Sequence, residues 1–456
     1  MKNISQFLAV LLLILTTLSM VSCETYLDVK PDQKQQIPTT LADCQALLAN
    51  TAQMNSSFSS ITEIAADDYY VTVPVFTSME QIDRDGYAWK PLADVNFGIW
   101  SAGYTRVLTA NQVLKTLDEL VVGSGEQNDW NHVKGSALIF RAISFYDMAQ
   151  VWSKPYDATT AGQDLGVPIR LTPDLAEKTT RGTVQATYDR IIKDLKAAAE
   201  LLPAIAPATS ALKMTTLTKA AALSLLARTY LAMNDYANAG ATADAVLQQY
   251  STLIDYQQLP PGMAPELHNS EIIFFATRGF SIPIYYGNIS PELFSLYPDV
   301  DLRPQVFFED TGNGTYSSKW CVAGGPAGFG AFAGIATPEL YLIRAESYAR
   351  AGNTTAAMSD LNTLLAKRSD AGFVPLVAAN EDAALVLILK ERRKELLFCG
   401  IRWTDLRRLN KESRFAETLT RDLNGQTFTL PPNDPRYVLN IPLDVLKYAD
   451  IPQNPR

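Results

Sequence analysis

One thiol stands among six basic and three acidic residues in ERRKELLFCGIRWTDLRRL, residues 391–409. A thiolate held beside guanidinium groups makes a nucleophile or a metal ligand, and a local charge of +3 could grip phosphate. The rest of the chain supports neither reading. Its formal charge is −9, so it lacks the excess of Lys and Arg that nucleic acid or an anionic membrane surface requires. Cys23, Cys44, Cys321 and Cys399 are too widely spaced for a disulfide framework or a metal-ligand cluster. The two histidines, His132 and His268, stand far apart and outside any HExxH arrangement, and no GxSxG elbow occurs. We therefore expect no catalytic residues, no metal and no cofactor.

Packing explains the stretch better. Written as a helix, Leu385, Ile388, Arg392, Leu396 and Cys399 follow one another at intervals of three and four residues. This places Arg392 within an apolar stripe and makes Cys399 a small core residue. A buried guanidinium needs carboxylate or carbonyl partners, and Glu391 and Glu395 are the nearest in sequence. Gly400 interrupts the helix before Trp403, Leu406 and Leu409 begin a second apolar face. The expectation is a strut of paired charges.

The elements around it read as mainly α. The composition, 47% hydrophobic and 19% charged, is that of an ordinary globular chain. Segments 100–120, 131–152 and 183–203 carry apolar residues at helical spacing, with Thr183 as an N-cap and Pro203 as a stop. Two helix hairpins follow a common spacing: Ala227, Tyr230 and Ala239 in one, Ala345, Tyr348 and Ala357 in the other. Small residues at a crossing with an aromatic ring beside them suit tetratricopeptide-type pairs. Three or four such pairs would form an α-solenoid; generic hairpins without a superhelix are the alternative. The helical scaffold spans about 100–250 and 336–410. Two irregular regions, about 40–99 and 259–334, are rich in Pro, Gly and aromatic residues and read as long loops, with EIIFFAT (271–277) the one clear strand candidate. Loops on a rigid scaffold are where binding residues tend to lie.

At the N-terminus Lys2 precedes the apolar run FLAVLLLILTTL (7–18), which has the length of a signal-peptide h-region rather than of a membrane span. Met20-Val21-Ser22-Cys23 then resembles the lipobox of bacterial lipoproteins, with Met20 where Leu is usual. On that resemblance residues 1–22 are a signal peptide, and Cys23 is the lipidated first residue of a mature domain, 23–456.

ERRKELLFCGIRWTDLRRL also resembles the ERRxELxFEGxRWxDLxR signature of the SusD/RagB family, outer-membrane lipoproteins of Bacteroidetes. Cys399 stands where that family usually has Glu. CETYLDVKP, TANQVL, FRAISFYDMAQVW, TKAAALSLLARTYL, SPELFSLYPDVDLR, TPELYLIRAESYARAGN and the closing QNP resemble family segments in family order. The resemblance implies a tetratricopeptide-like half, a loop-rich half, and no enzymatic activity. It further implies capture of an oligosaccharide or peptide at the cell surface, as a lid on a SusC-type TonB-dependent transporter in the outer membrane.

The ligand site is expected on the loop-rich half, at Tyr69, Tyr70, Trp89, Tyr285, Tyr286 and Trp320, with Asp67, Asp68, Arg84 and Asn288 close in sequence. A flat exposed ring covers the C–H face of a sugar while polar neighbours meet its hydroxyls. The competing function is a tetratricopeptide adaptor in the periplasm, which would use the concave helical face and needs no cluster of exposed rings.

Overall fold

A computed structural model describes residues 37–90, 97–204, 216–265, 269–279, 281–319 and 331–455. Ten helices of eight or more residues among them are α1 (Leu41–Leu48), α2 (Phe97–Glu119), α3 (Gln127–Trp152), α4 (Val184–Leu201), α5 (Lys219–Ala232), α6 (Tyr236–Leu247), α7 (Thr337–Arg350), α8 (Thr354–Leu365), α9 (Glu381–Glu395) and α10 (Arg402–Leu409). From α2 to α8 each helix packs on the next, and α9 packs on α7 and α8. The helix pairs form a tetratricopeptide-like array. Because α6 packs directly on α7, the array passes over the whole irregular segment between them.

Two of the pairs share one turn device, and it is local. After α5, Asn234 takes φ +60° and Asp235 caps α6, accepting from the Asn238 N–H at 3.2 Å. After α7, Gly352 takes φ +78° and Asn353 caps α8, accepting from the Ala356 N–H at 3.1 Å. In both, the capping residue's own N–H returns to the tyrosine carbonyl of the preceding helix, Tyr230 or Tyr348, at 2.9 Å. A left-handed residue followed by an Asx cap closes a helix and opens the next one within three residues. Ala227, Ala239, Ala345 and Ala357 are fully buried at the crossings. At the α6–α7 contact Gly240 has no room for a side chain, since a Cβ there would lie 2.6 Å from Ser347 Cβ. Thr183 caps α4 as expected, accepting from the Ala186 N–H at 3.1 Å, and the helix ends at Leu201, before Pro203.

The chain holds more strand than the sequence reading allowed, both within the irregular regions and outside them. Tyr69–Tyr70 (β1) and Leu165–Pro168 (β2) are followed by Arg181–Thr183 (β3), Ile272–Phe274 (β4) and Asn288–Ile289 (β5). Then come Phe308–Gly312 (β6), Thr315–Ser318 (β7), Ile335–Ala336 (β8), Leu419–Leu423 (β9) and Gln426–Leu430 (β10). EIIFFAT does supply β4, which pairs with β8. The hairpins β6–β7 and β9–β10 were missed, although each turns on Asn-Gly with both residues at positive φ: Asn313 and Gly314, Asn424 and Gly425. That dipeptide favours the two-residue turns whose twist matches paired strands.

Candidate functional site

The opening stretch folds as a strut, with different partners from those expected. Arg392 is buried, but its Nε donates to Asp405 of α10 at 2.8 Å, and Glu339 lies 3.9 Å from its Nη2. Glu391 and Glu395 belong to another network. Arg303, with no exposed surface, donates to Asp301, to Glu391 at 2.5 Å and to Glu395 at 3.1 Å. Lys394 joins Glu391 to Asp301, and Arg368 joins Glu395 to Glu271. Glu391 precedes Arg392 by one position, which turns it some 100° around the helix toward that cluster. Cys399 packs in an apolar cluster with Ile388 and Leu396, as expected of a core residue. Gly400, at φ +75°, lets the chain pass the Arg278 guanidinium; a Cβ there would collide with it.

Asp67 and Asp68, placed near the ligand by sequence proximity, also serve the strut. Asp67 accepts from Arg402 at 2.7 Å and from Arg393 at 3.0 Å, and Asp68 from Arg393 at 2.7 Å. Burial works against the Asp67 carboxylate, but these guanidinium groups outweigh it and hold the carboxyl well below its usual range. Arg84 donates to the Met79 carbonyl and to Gln81 within its own segment.

The six aromatic candidates divide. Tyr69 and Trp89 are buried, 2% and 4% exposed. Tyr69 donates its hydroxyl to the Ile64 carbonyl at 2.9 Å, and Trp89 donates its indole N–H to the Ala65 carbonyl at 2.9 Å. Arg421 of β9, a residue the sequence reading passed over, lies over the rings of Tyr87, Tyr69 and Trp89. Neither Tyr69 nor Trp89 offers a ring face to a ligand, which corrects the expectation for both. Tyr70 and Tyr285 are half-buried, and Tyr286 is 62% exposed. Trp320 lies outside the described residues, as do Cys23, Cys321 and His268.

What joins the two irregular regions is an antiparallel sheet in the order β1-β5-β7-β6. Tyr70 pairs with Asn288, Asn288 with Ser317, and Ser317 with Glu309. Residues in register across strands share a face, so these four form one outward row, while Tyr69, Ile289, Ser318 and Phe308 of the opposite face are buried. At the usual interstrand spacing the row spans roughly 14 Å. Tyr286 stands exposed just before β5. On the opposite face Tyr316 stacks on Phe294 with ring centroids 4.0 Å apart and planes 9° from parallel, packed against the core. The outward face thus offers a ring, an amide, a hydroxyl and a carboxylate in a line, donors and acceptors suited to a polyhydroxylated chain. Asn288 was noted from the sequence; Ser317 and Glu309 were not, and the Asn-Gly turn was the signal that could have found them.

The architecture is that of a helical-repeat scaffold carrying a loop-rich half with an open polar and aromatic face. Two family models match the chain: one described as starch-binding and associating with the outer membrane, over residues 25–231, and the SusD family model, over 337–445. Together they cover more than half of the sequence, and the chain belongs to the SusD/RagB family, whose members bind carbohydrate. A SusD-like protein of Formosa agariphila is 22% identical over 93% of this chain and 94% of its own length. The crystal structure of a SusD superfamily protein from Bacteroides thetaiotaomicron superimposes with a TM-score of 0.75 at 21% identity, covering 91% of this chain and all of the other. A laminarin-binding SusD-like protein superimposes with a TM-score of 0.64 at 17% identity, covering 91% and 99% of the two chains. No helix among the described residues is long and apolar enough to cross a membrane.

Proposed function

We propose that the protein is a non-enzymatic, cell-surface lipoprotein that captures an oligosaccharide on the outward face of the β1-β5-β7-β6 sheet. It is anchored in the outer membrane through Cys23 and passes its ligand to a SusC-type TonB-dependent transporter, over which it acts as a lid. The observation that carries this reading is the row Tyr70–Asn288–Ser317–Glu309 beside the exposed Tyr286. Rings supply apolar area to sugar C–H faces, and the polar groups of the row meet the hydroxyls between them. Family membership supports the transporter and the surface location, and the relative that binds laminarin supports a glycan over a peptide.

A glycan array with the mature domain tests this, followed by affinity measurements on Tyr70→Ala and Tyr286→Ala. Each stacking ring contributes on the order of 1 kcal/mol beyond burial, so the double variant should bind a confirmed glycan about tenfold or more weakly. Wild-type affinity in the double variant would place the site elsewhere. Protease shaving of intact cells should degrade the protein; full protection would favour a periplasmic adaptor instead.

A further inference from the structure

A cleft of about 620 Å³ shares no residue with the sheet row. It lies between the segment after α3 (Lys154 to Leu165), the end of α10 with Asn410 and Lys411, and the C-terminal residues Asn433 to Val438 and Asn454. Its size falls within the range of small-molecule sites.

The charges lining it do not cancel once existing partners are assigned. Asp164 is held by Lys154 at 2.6 Å, Asp157 by Lys411 at 3.0 Å, and Asp434 by both Nε and Nη2 of Arg436. That leaves Arg407. Its guanidinium is 2% exposed and donates only to uncharged oxygens, the Ala149, Gln150 and Ser153 carbonyls and the Gln150 amide, while its Nε has no partner. A buried cation without a carboxylate is costly. Burial accordingly pushes Arg407 down to about 10, with only Tyr188 and Tyr146 nearby to oppose it. On the same wall the Asn410 amide nitrogen and the Tyr437 hydroxyl, both in residues 3% exposed, have no partner except each other. An unpaired buried Nε and an amide–hydroxyl pair with no further partner, in residues that line an open cavity, point to something that satisfies them.

We propose that this cleft is a second ligand site, which takes an acidic sugar unit. The carboxylate of the sugar faces Arg407, and its hydroxyls meet Asn410, Tyr437 and the two lysine–aspartate pairs at the rim. A planar guanidinium suits a carboxylate. The volume far exceeds that of a lone carboxylate, since a water molecule takes about 30 Å³, and paired charges and amides suit a ring of hydroxyls.

Titration calorimetry on the mature protein with glucuronate, glucose and acetate tests this. Glucuronate should bind at least tenfold more tightly than either of the others. Arg407→Gln should reduce glucuronate to the level of glucose. Because that variant removes a buried group and can misfold, Gln163→Trp, at an exposed rim position, serves independently: it should block the cleft and weaken glucuronate at least tenfold while leaving the buried network intact. Tyr286→Ala, on the sheet face, should leave glucuronate binding unchanged, so failure of the sheet-face reading and failure of this one are distinguishable. Equal affinity for glucose or acetate, no binding of glucuronate, or binding that survives Gln163→Trp would each overturn the proposal.

Discussion

Glu63 sits on a short helix, Ile61–Ile64, with 1% of its surface exposed and no side-chain hydrogen-bond donor on either carboxylate oxygen. Burial raises its pKa from 4.5 to about 7, and the charge of Arg278 and the Gly400 amide offset only part of that. Arg278 spends its Nη donors on the Ser59 and Cys399 carbonyls and the Thr62 hydroxyl. The sign follows from the raised value: the native state holds a proton that the unfolded chain releases. The contribution of Glu63 to stability is therefore full below pH 4.5 and lost as pH rises through about 7. At 1.36 kcal/mol per pH unit, the gap between 4.5 and about 7 corresponds to about 3 kcal/mol. Glu63→Gln removes the ionisation and keeps the shape. Urea unfolding of both proteins from pH 4.5 to 8 reads Glu63 together with its repulsion from Asp68, because the buried carboxyl of Asp147 titrates in both and cancels. The variant should gain about 3 kcal/mol relative to wild type across that range. A difference that stays flat with pH would refute the reasoning.

Arg303→Met should cost about 3–5 kcal/mol, since it strips a shared cation from Asp301, Glu391 and Glu395. Arg392→Met should cost roughly 1–2 kcal/mol, because Asp405 keeps Arg408 and Glu339 keeps Arg228; chemical denaturation yielding the reverse order would contradict the network. Trp89→Ala should destabilise by about 3–5 kcal/mol without changing glycan affinity in the folded fraction, whereas a stable variant with lost binding would return Trp89 to the site. Cys23→Ala should move the protein from the detergent phase to the aqueous phase on partitioning; unchanged membrane association would remove the lipid anchor from the account.

The helical array was legible in the sequence because its determinants are local. Helical periodicity, a small-residue crossing, and a left-handed turn followed by an Asx cap all lie within about thirty consecutive residues in each pair. The Asn-Gly hairpins at 313–314 and 424–425 were equally local; a reading guided by Pro and Gly content took the region of the first for loops, and the second lies beyond the segments to which the sequence reading gave a structure. The apolar stripe revealed that Arg392 is buried, but its partner comes from α10, across the Gly400 turn, and no helical spacing specifies which carboxylate a second helix will bring. Tyr69 and Tyr70 are the plainest case. Adjacent residues of a strand face opposite sides, so one is core and the other is surface, yet composition treats them alike. Only the pairing of β1 with β5, more than two hundred residues on, decides which is which. The cleft around Arg407 was invisible for the same reason: its walls come from residues 154–165, 407–411 and 433–455. The absence of a carboxylate beside a guanidinium is a property of the space around it, which sequence order does not encode.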